Sequence, residues 1–185
     1  IRLRASASAY YTAGSVANTL FGGDRGGSHY YGVLETANNT TLAFSGRFNP
    51  GFTDKITAMV GNIFVKIGGL ESFTTLERAS GRSKTETVNR SASQFATDLV
   101  YRFGKKENFW LGGKYNTVSS ELLNGTSIYD VSVDRIAFSG GWFITKNIMA
   151  KLEYVDQTYS KDFLLSDYRK NGKFNGLVLE AVVSF

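Results

Sequence analysis

Along most of the chain apolar and polar residues alternate at period two, and the 3.6-residue period of a helix is almost absent. In SQFATDLVYRF (93–103), Phe95, Leu99, Tyr101 and Phe103 share one side with Thr97, while Gln94, Asp98 and Arg102 share the other. In 108–118, Phe109, Leu111, Gly113 and Tyr115 oppose Trp110, Gly112, Lys114 and Asn116. In 134–144, Ile136, Phe138, Trp142 and Ile144 oppose Arg135, Ala137, Ser139 and Gly141. The pattern predicts about ten strands, at 1–11, 28–36, 40–48, 55–67, 70–78, 93–103, 108–118, 134–144, 148–160 and 173–185.

The connections alternate in length. Short turns are predicted at 37–39, 68–69, 104–107 and 145–147. Between them lie longer segments rich in Gly, Ser, Asn and Lys: TAGSVANTLFGGDRG, ASGRSKTETVNRSA, SSELLNGTSIY and KDFLLSDYRKNG, with NPGFTD the shortest. This rhythm describes an antiparallel up-and-down meander with one tight rim and one loop-rich rim, as in transmembrane β-barrels. Alternation alone suits a soluble barrel equally well, with the faces exchanged. The strand ends discriminate: Tyr101, Phe103, Phe109, Trp110, Trp142, Phe143 and Phe185 gather near the tight rim, where an interfacial aromatic girdle is expected. Gly46, Gly113 and Gly140 on the apolar side also suit lipid contact better than a tightly filled core.

Composition narrows the chemistry. The 185 residues suffice for one domain, read as 1–185 with no separate soluble part. No cysteine and a single histidine, His29, exclude thiolate and His-cluster metal sites, and no cofactor is expected. A net charge of +5 with scattered cations argues against nucleic acid. No apolar run approaches the roughly 18–20 residues of a spanning helix, and no signal peptide is visible. The chain starts at Ile1 in a strand-like pattern without an initiator Met, so a processed or partial chain is expected.

The last ten residues, GLVLEAVVSF, place Leu177, Leu179, Ala181, Val183 and a terminal Phe185 at every second position. This resembles the C-terminal assembly signal of Gram-negative outer-membrane proteins, which the barrel-assembly machinery reads. Longer stretches, among them NTLFGGDRGGSHYYGVLE, DLVYRFGKKENFWLGGKYNTVS, GGWFITKNIMAKLEYVDQTYSKDF and KFNGLVLEAVVSF, resemble the C-terminal part of porin-like outer-membrane proteins of Bacteroidota. The resemblance implies an integral outer-membrane barrel with periplasmic termini. It also implies a longer parent, of which this chain is the closing part. Lipid, lipopolysaccharide and the assembly machinery are the implied partners, with other envelope proteins or further copies of the chain as additional candidates.

On that reading the polar face lines a lumen. Its expected charges include Arg47, Lys66, Glu71, Asp98, Arg102, Lys114, Arg135, Lys151, Glu153 and Glu180, with Arg2, Arg4, Glu35 and Glu77. A slight cationic excess predicts passive diffusion of small polar solutes with weak anion preference. The alternative is a non-conducting barrel whose charges pair across strands and fill the interior, serving as a scaffold or partner subunit of an envelope complex. A barrel enzyme of the omptin kind is a third class. It would rest on His29 beside Asp24 and on acid–base work by Glu71, Glu77, Asp98 or Glu153, and the reading taken is that the chain is not an enzyme. FGGDRGG (21–27) lacks phosphate-loop spacing and reads as an extracellular loop. The basic loops at 80–90 and 161–173 are candidate contacts for lipopolysaccharide phosphates, with ordinary solvated loops the preferred reading.

Overall fold

Residues rich in Val, Ile, Tyr, Phe and Thr at alternate positions form strands, because their branched or flat side chains pack on a pleated surface. In the computed structural model, which describes residues 1–15, 32–35 and 45–184, eight such strands form one antiparallel sheet in sequence order. They are β1 (Arg2–Thr12), β2 (Lys55–Ile67), β3 (Leu70–Arg82), β4 (Arg90–Phe103), β5 (Phe109–Asn124), β6 (Ser127–Thr145), β7 (Ile148–Lys161) and β8 (Lys173–Val183). Among the described residues no helix is long and apolar enough to cross a membrane, which bears on helices and not on strands.

Among the described residues the expected count of ten strands is corrected to eight, and the expected closed barrel to an open sheet in which β1 and β8 do not pair. Of the predicted strand 28–36 only 32–35 is described, and it is irregular. Of 40–48 only 45–48 is described, and it is a turn ending in an isolated bridge at Phe48. The reason is packing: Phe48 and Phe52 are driven into two apolar clusters on one face of the sheet, and the chain bends to deliver them. The predicted turn at 37–39 lies outside the described residues.

Three tight turns stand where expected, at Gly68-Gly69, between Phe103 and Phe109, and at Lys146-Asn147. The segment SSELLNGTSIY, read as a long loop, instead continues both strands to the pair Asn124–Ser127. Gly125 sits at φ 61° as the first of the two turn residues Gly125-Thr126, a conformation that glycine reaches without a Cβ penalty, so Gly-Thr makes the hairpin here. β3 and β4 likewise run further towards the loop rim than predicted, leaving only 83–89 between them. β1 begins and β8 ends on the tight-turn rim. Apart from a shift between Phe143 and Thr145, every ladder keeps its register, so one residue parity defines each face throughout.

Candidate functional site: the polar inner face

Register sorts every strand residue onto one of two faces. We call inner the face that carries Arg102, Lys114, Arg135 and Lys151, which cross-strand pairing places on the same side. In the tight-turn half its cations are Arg2, Arg4, Lys66, Arg102, Lys114, Arg135 and Lys151, and its carboxylates are Glu71, Glu77, Asp98, Glu153 and Glu180. The outer face of the same half carries no charge on any strand. It presents Met59 and Ile63, Leu70 and Leu76, Leu99 and Tyr101, Leu111, Phe138 and Trp142, Leu152, and Leu177 and Leu179, all exposed. On β4 this stretch runs from Phe95 to Phe103, about 27 Å along the strand at ~3.4 Å per residue. Tilted as barrel strands are, that length approaches the roughly 25 Å apolar band of membrane barrels.

At the lower border of this belt the rings of Tyr101, Phe103, Phe109 and Trp142 form a stacked row. Successive centroids are 6.4, 5.8 and 5.8 Å apart and the rings lie within 20° of parallel. Trp110 and Phe143, predicted for the same girdle, belong to the inner face. Alternation sends Trp110 there, and Phe143 lies under the guanidinium of Arg102 at 5.8 Å.

The inner charges pair, across strands and, for Lys151 with Glu153, along β7. Lys66 meets its ladder partner Glu71 at 2.8 Å and reaches Glu107 at 3.3 Å, while Arg102 closes on the other oxygen of Glu71 at 3.2 Å. Lys114 faces its partner Asp98 at a looser 3.4 Å. Lys151 holds Glu153 at 2.8 Å and Glu180 at 3.5 Å. The carboxylates considered for acid–base work are thus salt-bridge partners of lysine or arginine in the cases of Glu71, Asp98 and Glu153. Among the described residues no three acidic or imidazole groups gather to hold a metal, and His29 and Asp24 lie outside those residues.

Towards the loop rim the inner face changes character. Val118, Val131, Val133 and Tyr159 form an apolar bed that buries Phe48 and Phe163, and Ile56, Ala58, Ala79 and Ala92 bury Phe52. Two arginines fasten the 45–52 segment onto this bed. Arg135 donates from Nη2 to the Gly46 carbonyl at 2.8 Å and from Nε to the Gln157 carboxamide oxygen at 2.7 Å. Gln157 donates in turn to the Tyr159 hydroxyl, which donates to the Ser45 carbonyl. Arg90 donates to the carbonyls of Pro50 and Glu121 at 2.9 and 2.8 Å, pairs with Glu86 at 2.9 Å, and covers the Phe52 ring at 5.1 Å. Burial would push the Glu86 carboxyl up, but hydrogen bonds from Arg90 and Ser83 hold it below its ordinary 4.5. Glu35 is also partly buried and also held below its ordinary value, by the hydroxyl and amide of Ser45.

Between the two halves lies a pocket of about 310 Å³ in the inner wall, lined by Asp98, Trp110, Lys114, Ser139, Lys151 and Glu153, with Arg135 at its edge. Trp110 packs against its cross-strand partner Gly141: a Cβ at 141 would sit 2.3 Å from ring atoms. Asn116, fully buried on the same face beside Arg135, has no hydrogen-bond partner for its carboxamide. That leaves an unmet donor and acceptor just above the pocket.

Nine of the ten expected lumen charges, Lys66, Glu71, Asp98, Arg102, Lys114, Arg135, Lys151, Glu153 and Glu180, lie on this inner face. Arg47 does not line it as a strand residue, because it belongs to the covering segment. Leu177, Leu179, Ala181 and Val183 are on the outer face of β8, and Phe185 lies outside the described residues. Many cations of the basic loops already have partners: Arg82 meets Asp54 at 3.3 Å, Arg169 meets Asp167 at 2.7 Å and Lys173 meets Asp156 at 3.0 Å. The residues that sequence reading missed are Arg90, Gln157 and Tyr159, while alternation places Asn116 on the polar face without giving it a role. Extending the even-numbered set Gln94, Asp98, Arg102 backwards would have placed Arg90 inside. Compared with known proteins, the chain matches no family model, no curated protein and no solved structure.

Proposed function

We propose that the sheet is wall of an integral outer-membrane β-barrel that gives small polar solutes a passive path, with weak anion preference. One observation carries this reading: in the tight-turn half the apolar face is the uncovered one, and the charges sit on the opposite face. A soluble sheet does the reverse, because exposed apolar surface costs about 25 cal/mol per Å² in water. A hydrocarbon surround removes that cost and makes outward charges expensive instead. The cationic excess of the inner face supports the anion preference.

The same reading assigns membrane lipid and lipopolysaccharide to the outer belt and the assembly machinery to the β8 stripe, with periplasmic termini on the tight rim. An open edge is not tolerated in hydrocarbon, so the free edges of β1 and β8 are closed by pairing in the membrane. No catalytic role belongs to this reading. A second reading, a non-conducting barrel acting as scaffold or subunit of an envelope complex, is favoured by the cover at 45–52 and by the cross-strand ion pairs. Single-channel recording in planar bilayers separates the two. The porin reading expects stable current steps, with a reversal potential in a salt gradient displaced towards the anion. Silence from folded, bilayer-inserted protein would sink it in favour of the second.

A further inference from the structure

We propose that the inner-face pocket over Trp110 is a subsite for an anionic monosaccharide, a sugar ring bearing one carboxylate. The inference rests on the inner face lining a water-filled lumen, and it names a solute class for that face.

Three features of the pocket converge on this chemistry. Trp110 packs against Gly141, and its ring forms part of the pocket lining. A flat aromatic surface accepts the apolar C–H face of a sugar ring by dispersion and desolvation. The lining carries the cations Lys114, Arg135 and Lys151 against the carboxylates Asp98 and Glu153, and Glu180 also reaches Lys151. With Arg135 bonded to Gly46 and Gln157, Lys114 is the cation open to a solute with one negative charge.

The third feature is that the two lysine pairs differ in grip. Lys151 holds Glu153 at 2.8 Å, whereas Lys114 stands 3.4 Å from Asp98 with both side chains about one-third exposed. Charge-assisted N–H···O bonds are normally about 2.7–2.9 Å long, so the Lys114 pair is the one that exchanges. A solute carboxylate takes Lys114, and Asp98, thereby released, accepts a sugar hydroxyl. Glu153 and Ser139 supply further acceptors on the same wall. A neutral sugar gains the stacking but leaves Lys114 with Asp98. A simple anion gains Lys114 but not the ring.

The chain has two tryptophans, so Trp142→Phe leaves Trp110 as the sole indole while retaining a ring beside Phe109. Folded Trp142→Phe protein in micelles is titrated with glucuronate, glucose and acetate while Trp110 emission is followed. The expected result is a saturable change with glucuronate, half-complete at a concentration at least roughly tenfold lower than with glucose or acetate, the size of one charge-assisted contact. Lys114→Gln should remove that advantage and Lys114→Arg should keep most of it. Equal responses to glucuronate and glucose, no saturable response, or an unchanged advantage in Lys114→Gln would each overturn the proposal. The titration needs no current, so binding by a silent barrel would remove the porin reading and leave the subsite. Conduction without binding would do the opposite.

Discussion

The two halves of this sheet are built from the same strands and obey opposite rules. On β6, Val131 and Val133 point inward and Asp130 and Asp134 outward. Two residues later Arg135 and Ser139 point inward, and Ile136 and Phe138 outward. The register does not slip between them, so the change lies in side-chain chemistry on a continuous ladder. β7 repeats it in reverse, from Lys151 and Glu153 inside and Leu152 and Tyr154 outside to Val155 and Tyr159 inside and Asp156 outside. The loop-side half is organised like a soluble domain, with an apolar inner bed, a cover and a charged outside that includes Arg78, Arg82 and Glu121. The tight-turn half inverts this arrangement. On the proposed membrane reading, the boundary marks where the outer surroundings change from polar to apolar, which a strand crossing a membrane interface requires and a strand wholly in water does not.

The sharpest way to break this comparison is to place one charge on each side of the boundary. Phe138→Arg, midway along the belt, should cost about 2–4 kcal/mol in lipid vesicles, read by urea unfolding. Asp134→Arg, four residues away on the same face, should stay within about 0.5 kcal/mol. Equal small costs would show that the belt does not face hydrocarbon.

Next in size, Arg135→Met removes the bonds to Gly46 and Gln157 and should cost about 1.5–3 kcal/mol. Hydrogen exchange should quicken at 45–52 and remain unchanged in the tight-turn half. Uniform quickening would mean that the cover is not a separate layer.

A smaller contrast compares two glycines on opposite faces of neighbouring strands. Gly141→Ala drives a Cβ into the Trp110 ring and should cost about 1–3 kcal/mol, with a shift in Trp emission. Gly113→Ala meets only ordinary contacts, the nearest at 3.8 Å, and should be neutral or slightly stabilising.

The smallest effect is local and depends on pH. The Glu86 carboxyl is held below 4.5, so its anchoring of the 83–89 loop is complete above that value and fades as pH falls through the folded value. Proteolysis at this loop should therefore accelerate between about pH 6 and about pH 3. Glu86→Gln should be cleaved at the faster rate throughout. A wild-type rate that is flat over this range would show that Glu86 does not anchor the loop.

Alternation made the tight-turn half legible. Side-chain parity is fixed by the pleat, so reading Asp98, Lys114 and Lys151 against Leu99, Leu111 and Leu152 required no tertiary information. The loop-side half resisted the same reading for identifiable reasons. The hairpin at Gly125-Thr126 was hidden because its flanks, SSELLN and SIY, look like loop by composition, although Gly at the first of two turn residues is itself a hairpin signal. Arg90 reads as a loop cation by composition, because clear alternation begins only at Ser93, three residues after the strand starts. TTLAFSGRF alternates well enough to suggest a strand, but nothing in it foretells that Phe48 and Phe52 find a better partner in the apolar bed than in a ladder.

By itself, then, the sequence determined the all-β class, the antiparallel order, the three tight turns and the division of most strand residues into an apolar and a charged set, because these follow from local geometry. Tertiary structure decided what local pattern cannot carry. It set the number of strands, left the sheet open between β1 and β8, and matched Lys66 with Glu71 and Lys151 with Glu180. It also laid residues 45–52 over Arg135, Gln157 and Tyr159, and Trp110 on Gly141. These arrangements join residues 22 to 114 positions apart in sequence, as Arg135 with Gln157 and Tyr159 with Ser45 show, or depend on which rotamers two neighbouring strands can accommodate together. Only the assembled sheet fixes such distances.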